Sequence, residues 1–127
     1  MRFLTRDEVV AIHARVLREG PLGTPHRGVR HAGAVLAALE RARWGPFEVG
    51  DLAERAALLL RGIALDHPFE DGNKRTAFAA AYVFLDLNGA RVGASDDEIV
   101  AFILSIACEA PAVEEIAGWL RSRLEYL

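Results

Sequence analysis

Along the chain, short apolar stripes at helical spacing alternate with clusters of glycine, proline and capping residues. Val9, Ile12, His13, Val16 and Leu17 fall on one face of a first helix. Thr5-Arg-Asp-Glu8 opens it as a capping box, and Gly20-Pro21 closes it. The stretch from Gly20 to Gly28 is a loop. A second helix is expected from His31 to Arg43, with Val35, Leu36 and Leu39 inward, stopped by Trp44-Gly45-Pro46. Asp51 caps a third, with Glu54 placed to reach back, and this helix runs through Ala56 to Leu65 and halts before Pro68. A fourth begins near Asn73 and ends at Asn88-Gly89. Ala77, Phe78, Ala81, Tyr82, Val83, Phe84, Leu85 and Leu87 make it apolar nearly all round, which places it in the centre of a fold. Ser95-Asp-Asp-Glu98 is another capping box, and it opens a fifth helix with Ile99, Phe102, Ile103 and Ile106 inward. Pro111 breaks that run, and a sixth helix follows from about Ala112 to Leu124. No segment alternates long enough for a sheet. The expectation is an all-α fold, a single compact bundle of about six helices around a central apolar helix.

Composition narrows the class. At 127 residues the chain suits one domain, residues 1–127. Hydrophobic residues at 52% and charged ones at 26% describe a globular chain. The net charge of −3 argues against nucleic acid as substrate, because phosphate contacts reward a basic surplus. The single cysteine, Cys108, sits in an apolar stretch and reads as a buried free thiol. The longest apolar run, Ala77 to Leu85, is too short to span a bilayer. The N-terminus carries charges where a signal peptide needs its apolar core. A cytoplasmic, soluble protein without a membrane partner is expected.

One segment carries chemistry: Asp66-His-Pro-Phe-Glu-Asp-Gly-Asn-Lys-Arg-Thr76. It is almost wholly polar, and it separates two of the most apolar helices. Gly72-Asn73 can bend the backbone so that amide N–H groups at the start of the fourth helix converge into an anion nest. Lys74 and Arg75 add positive charge where the helix dipole ordinarily disfavours cations, which makes sense beside a polyphosphate. Asp71 offers a hard oxygen ligand for Mg²⁺. His67 is the nearby group able to act as a general base near neutral pH. Phe69, apolar within a polar loop, is expected to insert into the core.

His67-Pro-Phe-x-Asp71-Gly-Asn-Lys-Arg75 resembles the signature loop of the Fido superfamily. Its Fic branch reads His-Pro-Phe-x-(Asp/Glu)-Gly-Asn-Gly-Arg-x-x-Arg. Phe3-Leu-Thr-x-x-Glu8-Val with Ile12-His13, and Gly28-Val-Arg30-x-x-Gly33-x-Val-Leu-x-Ala-Leu39, are similar to segments of the Doc (death-on-curing) toxins of that superfamily. The resemblance implies that His67 takes the proton from the target hydroxyl and that Asp71 holds Mg²⁺. It further implies that Gly72, Asn73, Lys74 and Arg75 cradle the phosphates of ATP, and that the loop from Gly20 to Arg30 lays the target alongside His67. Arg30 is the candidate target-positioning residue. Lys74 replaces the Gly of the Fic branch and Phe78 its second Arg; both match the Doc pattern, which transfers the γ-phosphoryl group to a protein Ser/Thr. His31 departs from the Asp common in Doc-like proteins. Elongation factor Tu as target and a small antitoxin as inhibitor are implied by the resemblance alone.

Two other enzymes compete. A Fic-type AMP transferase shares most of the loop. Arg61-x₅-His67 also fits the loose Arg-x₄₋₆-His pattern of small all-α toxin ribonucleases, but that reading leaves Asp71 to Arg75 without a task.

Overall fold

A computed structural model describes residues 1–18, 31–45, 50–69 and 72–127. Its helices are α1 (Arg6–Arg18), α2 (Ala32–Trp44), α3 (Leu52–Asp66), α4 (Asn73–Leu87), α5 (Asp96–Glu109) and α6 (Val113–Arg123). Two three-residue strands complete it, β1 (Ala90–Val92) and β2 (Leu124–Tyr126). The fold is all-α, as the periodicity indicates. The loop from Gly20 to Arg30, Arg30 itself, and Asp71 lie outside the described residues.

The helix starts follow the capping chemistry. In α1 the Glu8 N–H donates to Thr5 Oγ1 (3.2 Å) and the Thr5 N–H to Glu8 Oε1 (3.0 Å). Ser95 and Glu98 form the same reciprocal pair at α5. At α3 only half of it forms. Asp51 accepts the Glu54 N–H at 2.9 Å, while the Glu54 carboxylate lies 3.6 Å from Arg121 of α6 instead of reaching back. Arg121 also grips Asp51 through two bonds of 2.7 and 3.0 Å, so one carboxylate caps α3 and ties it to α6.

α3 is the most enclosed helix. Leu52, Ala53, Ala56, Ala57, Leu59, Leu60, Ile63 and Ala64 are buried, and it packs against α2, α4, α5 and α6. Small residues permit the approach to α2: a Cβ on Gly62 would lie 2.8 Å from that of Ala38. α4 buries Thr76, Ala77, Ala80, Ala81, Phe84 and Leu85. Its opposite side is less apolar in use than in composition, since Tyr82 and Asp86 are exposed.

Three expectations need correction. Leu36 is 46% exposed, because α2 packs through Val35, Ala38 and Ala42, and Leu36 lies about 100° round the helix from Val35. Cys108 is exposed rather than buried. It stands two residues, about 200° of turn, beyond the buried Ile106. A sheet also exists: β1 and β2 pair antiparallel, Ala90 opposite Tyr126 and Val92 opposite Leu124. Three residues are too few for period-two alternation to register. No helix among the described residues is long and apolar enough to cross a membrane.

Candidate active site

The polar segment between α3 and α4 is a connection with a buried middle. Pro68 cannot continue α3 and disfavours helical backbone before it. His67 therefore closes the helix in the left-handed region (φ 47°, ψ 57°) and is exposed. Pro68 and Phe69 then turn inward, and Phe69 is fully buried. The imidazole of His13, itself 1% exposed, stacks on the Phe69 ring with centroids 3.8 Å apart and planes 6° from parallel. The Pro68 carbonyl accepts the His31 N–H at 2.9 Å, which fastens the start of α2 to the loop.

On the far side, Gly72 is the N-cap of α4 at φ 77°. A Cβ there would meet Leu17 Cδ2 at 3.1 Å in a backbone conformation that side chains avoid, so glycine is required on two counts. The Gly72 carbonyl accepts the Thr76 N–H (2.9 Å), which begins the helix. The Asn73 side chain closes the connection. It accepts the Phe69 N–H at 3.0 Å and donates to the Phe69 carbonyl at 2.9 Å. That amide thus has a structural task in addition to any contact with a ligand.

The start of α4 shares with α2 the lack of an acidic first turn and of a side-chain cap, and differs from it in carrying two cations. α1, α3, α5 and α6 each carry carboxylates in the first turn, and α1, α3 and α5 have a side-chain cap. α4 has neither an acidic first turn nor a side-chain cap. Lys74 and Arg75 stand exposed there instead. Cations at the positive end of a helix dipole are unfavourable unless an anion joins them. Backbone N–H groups left without a capping side chain are donors for such an anion. The buried Thr76 hydroxyl, one turn along, has no hydrogen-bond partner. The uncapped start of α4, both cations and His67 therefore belong to one connection.

Beyond its first turn α4 becomes apolar. Phe78 and Tyr82, with ring centroids 6.2 Å apart, join Ile12, Val16, Ala79, Val83 and Arg15 around a groove of about 570 Å³ between α1 and α4. No cluster of three or more His, Cys, Asp or Glu that could hold a metal occurs among the described residues. His13, which the sequence reading set on the α1 stripe and in the Doc-like first segment, is a neighbour of this loop that it did not connect with the site. Its signal was a polar residue on the inward stripe of α1, between Val9 and Leu17.

Comparison with known proteins places the chain among relatives. The family model of the Fic/DOC family matches residues 3–85. The chain is 42% identical over 100 residues to the Toxin Doc of Mycolicibacterium smegmatis (strain ATCC 700084 / mc(2)155), covering 72% of this chain and 77% of the relative. It is 36% identical over 124 residues to the Protein kinase doc of Escherichia phage P1, covering 95% and 94% respectively.

Proposed function

This chain belongs to the Fic/DOC family, and from that premise we propose that it is a Doc-like, toxin-type phosphotransferase, moving the γ-phosphate of ATP to a Ser/Thr hydroxyl of a protein target. The observation that carries the reading is the bare, cationic start of α4 in the same connection as an exposed His67, followed by Phe78 and an apolar groove. In this reading phosphate is gathered at the loop, since Phe78 and its groove neighbours on α4 offer no cation, and the cation that does line that groove, Arg15, comes from α1. The proposed orientation sets the γ-phosphate at the start of α4, within reach of His67. The P1 relative, whose name includes protein kinase, supports the same direction of transfer.

In the reaction the target oxygen forms a bond to the γ-phosphorus as the bond to the β,γ-bridging oxygen breaks and ADP leaves. The His67 imidazole accepts the hydroxyl proton. The amide N–H groups from Gly72 onward, with Lys74 and Arg75, offset charge on the moving phosphoryl group, so catalysis is mainly positioning and electrostatics. The donor set suits Mg²⁺ in its usual form, one carboxylate plus phosphate oxygens: Asp71 would supply the carboxylate, and the ion would neutralise polyphosphate charge.

The proposed target is elongation factor Tu, and the proposed inhibitor a small antitoxin. The α1–α4 groove suits the antitoxin: it is apolar, reaches the helix that begins at the nest, and lies on a chain whose relative is a toxin.

The test supplies the protein and its candidate target with ATP labelled at either the γ or the α position. Label from the γ position should appear on the target, with a mass gain of one phosphate. His67→Ala should lose about 10²–10⁴ in rate while remaining folded. Transfer of the α label, or a gain of one AMP, would overturn the kinase reading in favour of adenylylation.

A further inference from the structure

In α5 composition and burial disagree. Every residue from Ile99 to Cys108 is uncharged, and only Ser105 among them is polar. A helix so apolar belongs inside a fold. Yet its buried side chains are Phe102 and Ile106 alone. The opposite side is exposed, and it is apolar too. Val100 and Leu104 are 56% and 49% exposed, and Ala101 and Cys108 stand open beside them. At 100° per residue these four share about 100° of arc, facing away from Phe102 and Ile106. Single exposed apolar residues need no explanation, but a continuous stripe of them does. Val100, Leu104 and Cys108, spaced by four, form a ridge of the kind that a second helix receives between its own.

Carboxylates bound the stripe. Asp96 and Asp97 stand at its start and Glu109 at its end, all exposed, and α5 carries no cation. Among the described residues none of these three forms an ion pair, whereas Glu98 is held by Ser95 and lies 3.6 Å from Arg123. Asp96 and Asp97 suit the positive end of the helix dipole. Glu109 sits at the negative end, where a carboxylate is unfavourable until a cation joins it. Glu109 and Glu115 also line a cleft of about 140 Å³ between α5 and α6, whose walls include Phe102 and Trp119. An apolar wall ending in two carboxylates suits a Lys or Arg side chain, with its stem on the wall and its charge on the acids.

The same charges disfavour a second copy of this chain. An antiparallel pair of α5 helices would set Asp96 and Asp97 against Glu109, and a parallel pair would set each carboxylate against its equal. Like charges facing across an interface cost affinity. We propose that the outer face of α5 is a docking surface for an amphipathic helix of a partner protein, one with an apolar stripe and Lys or Arg at its ends. The surface is separate from the phosphotransfer site and stands whichever group that site transfers.

Cys108, the single cysteine of the chain, reports occupancy from within the stripe. The full chain is titrated with two synthetic helical peptides of about 15 residues sharing one Leu/Ala stripe, the first with Lys at both ends and the second with Glu. The rate of Cys108 alkylation by iodoacetamide is followed. The Lys peptide should slow alkylation, and should do so at about tenfold lower concentration than the Glu peptide. High salt should narrow that gap. Leu104→Gln should abolish the protection at an unchanged urea midpoint, since its side chain is half exposed. Glu109→Lys should weaken the Lys peptide and strengthen the Glu peptide. Should Leu104→Gln not fold, Val100→Gln takes its place with the same expected outcome. Absence of protection by the Lys peptide, equal protection by both peptides, or protection that survives Leu104→Gln would overturn the proposal. So would protection that rises with protein concentration when no peptide is present, accompanied by a dimer in light scattering, because a second copy would then be the occupant.

Discussion

Asn73→Ala separates the two tasks that Asn73 could perform. Its amide bonds the N–H and the carbonyl of Phe69 at 3.0 and 2.9 Å in a partly buried setting. Each such bond contributes a net 0.5–1.5 kcal/mol or so, and the unpaired Phe69 groups left behind keep the sum from being smaller. The variant should therefore lose about 1–3 kcal/mol, against a total stability on the order of 5–15 kcal/mol. Urea unfolding without nucleotide, followed by circular dichroism, reads this directly as a lower midpoint at unchanged slope. Asn73→Asp sharpens the test. It retains an acceptor for the Phe69 N–H and suits the helix dipole, so it should cost less stability than Ala. It also sets a carboxylate beside the nest and should weaken ATP binding more than Ala does. An Asn73→Ala protein with the wild-type urea midpoint and impaired ATP binding would refute the clamp and leave Asn73 as a phosphate ligand only.

Two further outcomes follow from packing and charge. Phe84 is 1% exposed and stacks on Phe3 at 5.8 Å, so Phe84→Ala should cost about 3–5 kcal/mol in urea unfolding, and an unchanged midpoint would remove α4 from the core. The Asp51 carboxyl is held below its ordinary value, chiefly by the Arg121 guanidinium and also by the Glu54 N–H, against a partial opposition from burial. Because the folded value is depressed, this stabilisation is complete above the unfolded-state value of about 3.9 and is lost as pH falls through the lower folded one. Unfolding measured from about pH 5 down to about pH 2 should thus lose stability less steeply in Asp51→Asn than in wild type. Both side chains are about half exposed, so the difference should not exceed about 1 kcal/mol. Parallel curves would show that the Asp51–Arg121 pair contributes nothing.

The helices were legible because their signals are local. Capping boxes at Thr5 and Ser95, the stop at Gly89 and the 3.6-residue stripes all act within a few residues, and the chain obeys them. What depends on distant partners was not legible. Glu54 has the spacing to reach back to its own cap, but Arg121, far along the chain, draws its carboxylate away. The pairing of Ala90–Val92 with Leu124–Tyr126 is settled by where α6 delivers the C-terminus, a quantity no window contains. Leu36 and Cys108 failed for a related reason. Apolar character says that a side chain can be buried, whereas α2 and α5 each offer only one face to the bundle.

The site divides along the same line. A run of polar residues between two apolar helices identifies the donors and acceptors, because His67, Gly72, Lys74 and Arg75 are adjacent in sequence and need no folding to meet. How rigidly they meet is a tertiary matter. Lys74 and Arg75, both exposed, are modestly unfavourable to one another and to the dipole of α4 when no anion is bound. Three contacts hold the connection: the Asn73 clamp on Phe69, the Pro68 carbonyl held by His31, and the His13 ring pressed on Phe69 from α1. Two of the three come from helices outside the motif. The motif therefore names the groups proposed to meet a phosphate, while contacts that hold their connection come from α1 and the start of α2, where the sequence shows a polar His13 on an apolar stripe and a helix start without a side-chain cap.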